Sequence, residues 1–203
     1  RIGGLLCLAA SGIADNLLLN GGFEDQLDHW KLIIPTDSRY KLCKAAPVED
    51  GHAGRALCLR SQYDTRFSLH QPVSLRPAAR YRLSAWVKNE VRLGRPPSEV
   101  DAAAVTPGLV LRLTLFDASK HAHALYLTAD SRLFDDSVSY SPLTRIVNNG
   151  RSISNWTKVE GVFQVPGGLG GNATLELFAW MSRGPIFFDE VCLEPVGEEL
   201  PLT

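Results

Sequence analysis

Three strand-like segments of the sequence separate aliphatic side chains from charged and aromatic ones. Successive side chains of a β-strand point to opposite faces, so alternation assigns each residue to a face. The all-aliphatic faces are expected to form the core. The opposite faces mix basic, acidic and large aromatic side chains, which is unusual for a simply solvated surface. They carry Arg82, Trp86 and Lys88 in 81–88, Arg112 in 109–116, and Glu176, Phe178 and Trp180 in 173–181.

No catalytic set emerges from the sequence. His121 and His123 could share a strand face and hold a metal, but no matched acid accompanies them. No Gly-x-Ser-x-Gly elbow is present, and the glycines at 167–171 precede a predicted strand, unlike those of a phosphate-binding loop. Asp101 and the pair Asp135–Asp136 fall in predicted loops, where a glycosidase pair cannot be argued from one sequence. We therefore predict that the chain is not an enzyme.

Length and charge favour one domain that does not bind nucleic acid. The chain has 203 residues, enough to bury a sizeable core. Its formal net charge is −1, so no field attracts nucleic acid or anionic lipid. Alternation predicts strands, and no segment has the pattern of a long amphipathic helix. The predicted strands are 16–20, 39–44, 55–61, 66–75, 80–88, 109–116, 122–128, 156–165, 173–181 and 186–194. This layout predicts an all-β fold, a two-sheet antiparallel β-sandwich.

The first fourteen residues have two interpretations. One basic residue, an apolar run and small residues up to Ala14 fit the later part of a secretory signal, which favours a secreted or cell-surface protein. A retained apolar strand, Ile2–Ala14, could instead add to a sheet edge, its own or a neighbour's. The segment is too short to be a confident membrane span. We expect the sandwich to cover 15–197, followed by a tail at 198–203.

The cysteines fit disulfides better than zinc. Cys7, Cys43, Cys58 and Cys192 show no Cys-x-x-Cys spacing. In an exported chain a disulfide is reasonable. Cys58 and Cys192 could meet if their strands are neighbours, and Cys43–Cys58 is the local alternative. The third possibility is that all four are free, small apolar residues.

Four segments in this order resemble the carbohydrate-binding modules of the cellulase-associated type, families 4, 9, 16 and 22. They are NLLLNGGFE with Trp30, the segment Gln71-Pro-Val-Ser-Leu with YRLSAWVK, Trp156-Thr-Lys-Val-Glu-Gly-Val-Phe, and FFDEVCLEP. They span 16–195. The resemblance implies a jelly roll of the galactose-binding-like type. In this fold Trp30 and Trp156, each at the edge of a strand, are expected to plug the ends of the core.

The resemblance also implies two sites. The first is a structural calcium ion (Ca²⁺), held by Glu24 and Asp189 with backbone carbonyls completing its six to eight oxygens. The alternative is that these acids cap turns or pair with arginine. The second is a groove on the concave sheet, where aromatic rings stack on the flat faces of sugars and polar side chains bind hydroxyls. Trp86, Phe178 and Trp180 would stack, and Arg82, Lys88, Arg112 and Glu176 would form the rim. The alternative is that loops cover this face.

Two function hypotheses follow. The first is a secreted module that binds a polysaccharide or other glycan without catalysis. The second is a structural subunit of an extracellular assembly or filament, in which Ile2–Ala14 pairs with a copy of the same chain.

Overall fold

The computed structural model describes residues 15–34, 43–90, 108–117, 119–128, 133–135, 153–169, 171–197 and 202, with only the backbone at 61–66, 108–110, 128, 133–135, 178 and 180–183. These residues form strands and no helix, and none of them belongs to a helix able to cross a membrane. The strands are β1 (Lys31–Ile33), β2 (Lys44–Val48), β3 (Ala56–Leu75), β4 (Arg80–Asn89), β5 (Gly108–Phe116), β6 (Ala122–Thr128), β7 (Leu133–Asp135), β8 (Ile153–Gln164) and β9 (Gly171–Val196).

Two antiparallel sheets share the long strands β3 and β9. The first sheet has the order β1–β3–β9–β5–β6–β7 and uses residues 65–75 of β3 and 171–182 of β9. The second sheet has the order β2–β3–β9–β4–β8 and uses residues 56–61 of β3 and 184–196 of β9. The predicted two-sheet antiparallel sandwich is confirmed.

The core lies between the two sheets and consists of the aliphatic faces predicted from alternation. From the first sheet come Leu111, Leu113, Leu175 and Leu177, all fully buried. The second sheet contributes Leu57, Leu59, Leu83, Val87 and Phe188, which belong to the same core cluster. Burying each such side chain contributes about 1.5–3 kcal/mol. Because both aliphatic faces point inward, the outer faces of the two sheets point in opposite directions.

The predicted strands at 55–61 and 66–75 are one strand, and so are those at 173–181 and 186–194. In the structure, the register shifts around Ser61, Thr65 and Arg66 let β3 pass from one sheet to the other. Gly184, with φ 101°, lies at the corresponding point of β9. Sequence alternation alone did not reveal β1 and β2. Residues 1–14, 35–42 and 198–201 lie outside the described residues, as do the predicted pairing of Ile2–Ala14 and most of the predicted strand 39–44.

The opening segment 16–20 was predicted as a strand and is an irregular stretch bonded to β9. Asn16 Oδ1 accepts hydrogen bonds from the Leu18 and Leu193 amides at 3.0 and 2.9 Å. Its Nδ2 donates to the Val191 carbonyl at 3.0 Å. The Val191 amide in turn donates to the Gly21 carbonyl at 2.9 Å. The asparagine therefore replaces ladder bonds that a regular strand would make.

The cysteines within the described part, Cys43, Cys58 and Cys192, form no disulfide. Neither possible bridge, Cys58–Cys192 or Cys43–Cys58, forms, although β3 and β9 are neighbours. Cys58 lies opposite Phe187 in the register, whereas Cys192 lies opposite Ser84 of β4. Burial raises the pKa of both the Cys58 and Cys192 thiols, so neither is a reactive thiolate at neutral pH.

Gly21 should tolerate no side chain, and its neighbour offers a matched control. A Cβ at residue 21 would lie 2.0 Å from the Val191 carbonyl oxygen, whereas one at Gly22 would have no heavy atom within 4 Å. We expect Gly21→Ala to lower the free energy of unfolding by about 1–3 kcal/mol, the usual cost of overpacking. Gly22→Ala should change it by less than about 0.5 kcal/mol. Urea unfolding of both variants checks this, and equal midpoints would contradict it.

Candidate ligand-binding surfaces

The predicted ligand-binding residues lie on two surfaces instead of one groove. Arg82, Trp86 and Lys88 belong to β4, in the second sheet. Arg112 and Glu176 lie opposite each other in β5 and β9, in the first sheet. Alternation identifies the outer face of each strand but not the sheet that the strand joins. The expectation of a single concave face is corrected for this reason.

A buried carboxylate organises the outer face of the first sheet. Glu176 is 3% exposed. Its Oε1 accepts hydrogen bonds from Arg112 Nε and from the Thr114 hydroxyl, both at 2.9 Å. Its Oε2 is paired with Arg112 Nη2 and lies 3.2 Å from His70 Nε2. We call this group, with Tyr126, the first-sheet surface.

The charge on Glu176 is stabilised although the side chain is buried. Burial by itself disfavours the carboxylate. Hydrogen bonds from His70 and Arg112, together with the charge of Arg112, outweigh that effect and lower the pKa of Glu176. Glu176 therefore stays ionised well into the acid range.

The register aligns the first-sheet surface into a row across the strands. Reading across, Lys31 is opposite His70, His70 opposite Glu176, Arg112 opposite Glu176, and Tyr126 opposite Arg112. Tyr126 is buried and hydrogen-bonds to Arg112. The side chains of Arg112 and His70 keep 31% and 25% of their surface exposed. Polar edges thus reach solvent from a network that is otherwise fixed.

The Ser68–His70–Glu176 contacts do not form a charge-relay triad. The Ser68 hydroxyl lies 2.7 Å from His70 Nε2, the same nitrogen that faces Glu176. A triad needs the nucleophile and the acid on different ring nitrogens. The arrangement positions a histidine and does not activate the serine.

Phe178 and Trp180 occupy β9 positions that alternate with the buried Leu177 and Ala179, as Glu176 does. Phe178 is opposite Ser68 and Val110 in the register, and Trp180 is opposite Arg66 and Gly108. Their side chains lie outside the described part, so their stacking role stays a prediction.

The outer face of the second sheet carries a cluster of rings. The imidazole of His52 stacks on the indole of Trp86, with ring centres 3.6 Å apart and planes inclined by 12°. Trp156 meets His52 edge-on at 6.4 Å and Phe187 at 6.3 Å. Lys88 Nζ lies 5.3 Å from the centre of Trp156 and 4.8 Å from that of Phe187. We call these five residues the second-sheet surface.

Acidic residues hold the basic members of this cluster. His52 Nδ1 lies 2.8 Å from Glu190 Oε2, and Lys88 Nζ lies 3.0 Å from Asp50 Oδ2. Lys88 is largely buried, and its side chain is 11% exposed. Arg82, further along β4, pairs with Glu194 at 2.9 Å and does not contact the rings.

The two tryptophans expected to plug the core differ in their roles. Trp30 is 7% exposed, packs on Phe23 at 5.6 Å and donates to the Asn20 carbonyl at 3.1 Å, so its structural role is confirmed. Trp156 is outside the core cluster and belongs to the second-sheet surface. The expectation for Trp156 is corrected because its strand position, seen from sequence, did not specify a face.

Glu24 and Asp189 both bind the turn at 51–55. Asp189 is fully buried, and its Oδ2 and Oδ1 accept hydrogen bonds from the Ala53 and Glu190 amides at 2.9 and 2.7 Å. Glu24 Oε1 accepts from the Arg55 amide at 2.8 Å. Burial raises the pKa of Asp189, although the backbone hydrogen bonds oppose this. Within the described ranges, no group of three or more His, Cys, Asp or Glu side chains could hold a metal ion.

These contacts fit the capping alternative better than an oxygen shell for calcium. The oxygens that would face a cation accept amide hydrogens from the 51–55 turn and from Glu190. The proposed function does not depend on Ca²⁺, and the calcium site stays a prediction.

Sequence reasoning missed several members of both surfaces. His70 was overlooked because it looks like an ordinary polar residue until the register places it against Glu176, and Thr114 because only its hydroxyl bond links it to Glu176. His52 and Asp50 lie in a turn far from β4 in sequence, so nothing local connects them to Trp86 or Lys88. Only strand pairing could have brought these residues together.

Comparison with known proteins gives structural matches without sequence matches. No family model and no curated protein matches the sequence. The family 61 module TmCBM61, solved with β-1,4-galactotriose, matches with a TM-score of 0.51 and 17% identity over 90% of this chain and 100% of that one. The fold is that of the carbohydrate-binding jelly rolls.

Two further matches belong to larger chains. The CBM22-1–GH10 part of Clostridium thermocellum xylanase Xyn10B, complexed with xylohexaose, has a TM-score of 0.56 and 17% identity over 91% of this chain. The enzymatically active domain of bacteriophage CBA120 tailspike protein 4 has a TM-score of 0.58 and 16% identity over 89% of this chain. This jelly roll spans 29% and 21% of those chains, respectively. At these identities the likeness shows the fold.

Replacing Glu176 should change how stability depends on pH. Its pKa is lowered in the folded state, so its contribution is present above the unfolded pKa and is lost as pH falls through the folded pKa. Glu176→Gln should therefore be less stable at neutral pH and lose less stability as the pH falls from about 4.3, the unfolded pKa of a glutamate, towards about pH 2. The exposed Glu160, paired with Lys158 at 2.9 Å, is the control. Urea midpoints measured across this range test it, and parallel curves for wild type and Glu176→Gln would contradict it.

The calcium prediction has a direct test on the intact chain. A metal bound by the folded state alone raises its stability, so excess chelator should lower the melting temperature if Glu24 and Asp189 hold Ca²⁺. Calcium added back should restore it, and Glu24→Gln should remove the response. An unchanged melting temperature in chelator would contradict the site.

Proposed function

We propose that this protein is a secreted, non-catalytic module that binds a glycan on the first-sheet surface. The observation that carries the proposal is the buried Glu176, held by Arg112, Thr114 and His70 on an outer face. A buried ion pair contributes little net stability because desolvation offsets its attraction. Stability alone therefore gives weak reason for such a network on a sheet exterior.

The network suits hydroxyl recognition. Its bonds fix the orientation of Arg112 and His70, whose outer edges reach solvent. A ligand that binds preoriented donors and acceptors loses less side-chain entropy. Sugar hydroxyls both donate and accept, so a row that offers an oriented guanidinium and an imidazole matches them. We expect the stacking rings at Phe178 and Trp180, because these β9 positions alternate in step with Glu176.

The comparisons support the ligand class and not a particular sugar. TmCBM61, which this chain covers end to end, was solved with β-1,4-galactotriose, and the Xyn10B modules with xylohexaose. Ligands of modules on this fold therefore include chains of pyranose units. End-to-end coverage of a standalone binding module also favours a non-catalytic role for this chain.

Removing the ion pair as a unit should abolish glycan binding without leaving a buried charge. We expect Arg112→Met with Glu176→Leu to weaken binding at least tenfold, since hydrogen bonds to charged groups contribute roughly 1.5–3 kcal/mol. Lys44→Met, at an exposed position of β2, is the control. Affinity electrophoresis in gels containing xylan, β-1,4-galactan or hydroxyethylcellulose measures the retardation.

A second variant, Trp180→Ala, tests stacking without touching the ion pair. It should weaken binding in the same gels. Wild-type protein that migrates freely in every polysaccharide gel would overturn the proposed function.

A further inference from the structure

The second-sheet surface lies on the opposite side of the sandwich from the first-sheet surface and has its own aromatic centre. Trp86 projects from β4, and the imidazole of His52 lies parallel to it at 3.6 Å. The two rings lie face to face, closer than the roughly 4.5–7 Å between ring centres that is usual for aromatic pairs. The stacking face of Trp86 is thus filled by a ring from the chain itself.

The backbone of the 51–55 turn is fixed independently of the His52 ring. The Gly51 amide donates to the Gly54 carbonyl at 3.0 Å, and the Ala53 amide donates to the buried Asp189 at 2.9 Å. The Arg55 amide donates to Glu24 at 2.8 Å. The turn therefore stays in place whatever the orientation of the His52 side chain.

The ring itself is held by contacts that are open to solvent. Its hydrogen-bond partner within the described part is Glu190 Oε2, at 2.8 Å, and the two side chains are 32% and 44% exposed. Even with His52 charged, an ion pair this exposed contributes little. Rotation of the His52 side chain would uncover Trp86 without breaking any of the three backbone hydrogen bonds of the turn.

Uncovering Trp86 leaves groups suited to a sugar ring. The indole face can receive axial C–H groups, and Trp156, which meets the His52 ring edge-on, borders the space that this ring now fills. The Glu190 carboxylate, released from His52, can accept hydroxyl hydrogens. Lys158, opposite Trp86 in the β4–β8 register, brings an ammonium group to the same stretch of sheet. Stacking surface, acceptor and donor are then present together.

We propose that Trp86 is a second sugar-stacking position, which His52 occupies in the free protein and which a pyranose ring of a glycan displaces. The inference takes its ligand class from the proposed function, but its residues are separate from the first-sheet surface. Because the displaced contacts are one ring stack and one exposed ion pair, the cover should weaken binding by about tenfold.

The experiment first disrupts the first-sheet surface by substitution and then removes the His52 ring that covers Trp86. In the Arg112→Met, Glu176→Leu background, His52→Ala should increase retardation in xylan, β-1,4-galactan or hydroxyethylcellulose gels, by about tenfold in affinity. Adding Trp86→Ala should abolish that gain. His52→Phe, which keeps a ring on Trp86 and cannot bind Glu190, is the matched variant and should bind less than His52→Ala.

The outcomes separate this inference from the proposed function. A gain with His52→Ala that depends on Trp86 supports the second position even if the first-sheet variant binds like wild type. No retardation of His52→Ala in any gel, or a gain that survives Trp86→Ala, overturns it. If His52 only stabilises the fold, His52→Ala should lower the melting temperature without a gain in binding, and this result also overturns the inference. Quenching of tryptophan fluorescence by xylohexaose in the His52→Ala protein provides an independent readout.

Discussion

Strand β9 is the element on which both sheets depend, because its two halves pair in different layers of the sandwich. One half lies between β3 and β5 and the other between β3 and β4. Each half must present its aliphatic side to the core. If side chains simply alternated along β9, Phe188 would point to the opposite face from Val191 and Leu193. The β4–β9 register shift between Ser84 and Trp86 adds a residue to β9, and Glu190 there has φ 45°. The bulge restores the inward direction of Val191.

The two buried acids of β9 show how the environment of a carboxylate decides its behaviour. Glu176 is surrounded by an arginine, a histidine and a hydroxyl, and its pKa falls. Asp189, next to the bulge, is surrounded mainly by backbone amides, and burial raises its pKa. Acidification therefore lowers the free energy of unfolding by protonating Glu176. Protonation of Asp189 acts in the opposite direction, because it removes the cost of burying an ionised carboxylate. One acid belongs to a surface, and the other holds the turn beneath the second surface.

The sequence predicted the fold well and the grouping of site residues poorly. Alternating leucines at 109–116 and 173–181 predicted the buried faces, since burial on a sheet follows a period of two. The NGGFE segment and FFDEV were identified as the two ends of one domain, and Asn16, Gly21 and Val191 show why they belong together. Trp86 and Glu176 were wrongly placed on one face. Which sheet a strand joins is decided by long-range pairing, and pairing leaves no mark in the alternation of a single strand.

The shared strands also determine when the domain can fold. Leu57 pairs with Phe188, and Leu69 pairs with Leu177, so the central pairing joins residues separated by more than half of the chain. Contacts this distant in sequence slow folding, because the entropy of closing a long loop is lost before the pairing compensates for it. During synthesis, β3 to β8 emerge from the ribosome before the strand that completes either sheet. Until β9 arrives, the unpaired edges of β3, β4 and β5 are exposed, and the nascent chain is most vulnerable to aggregation.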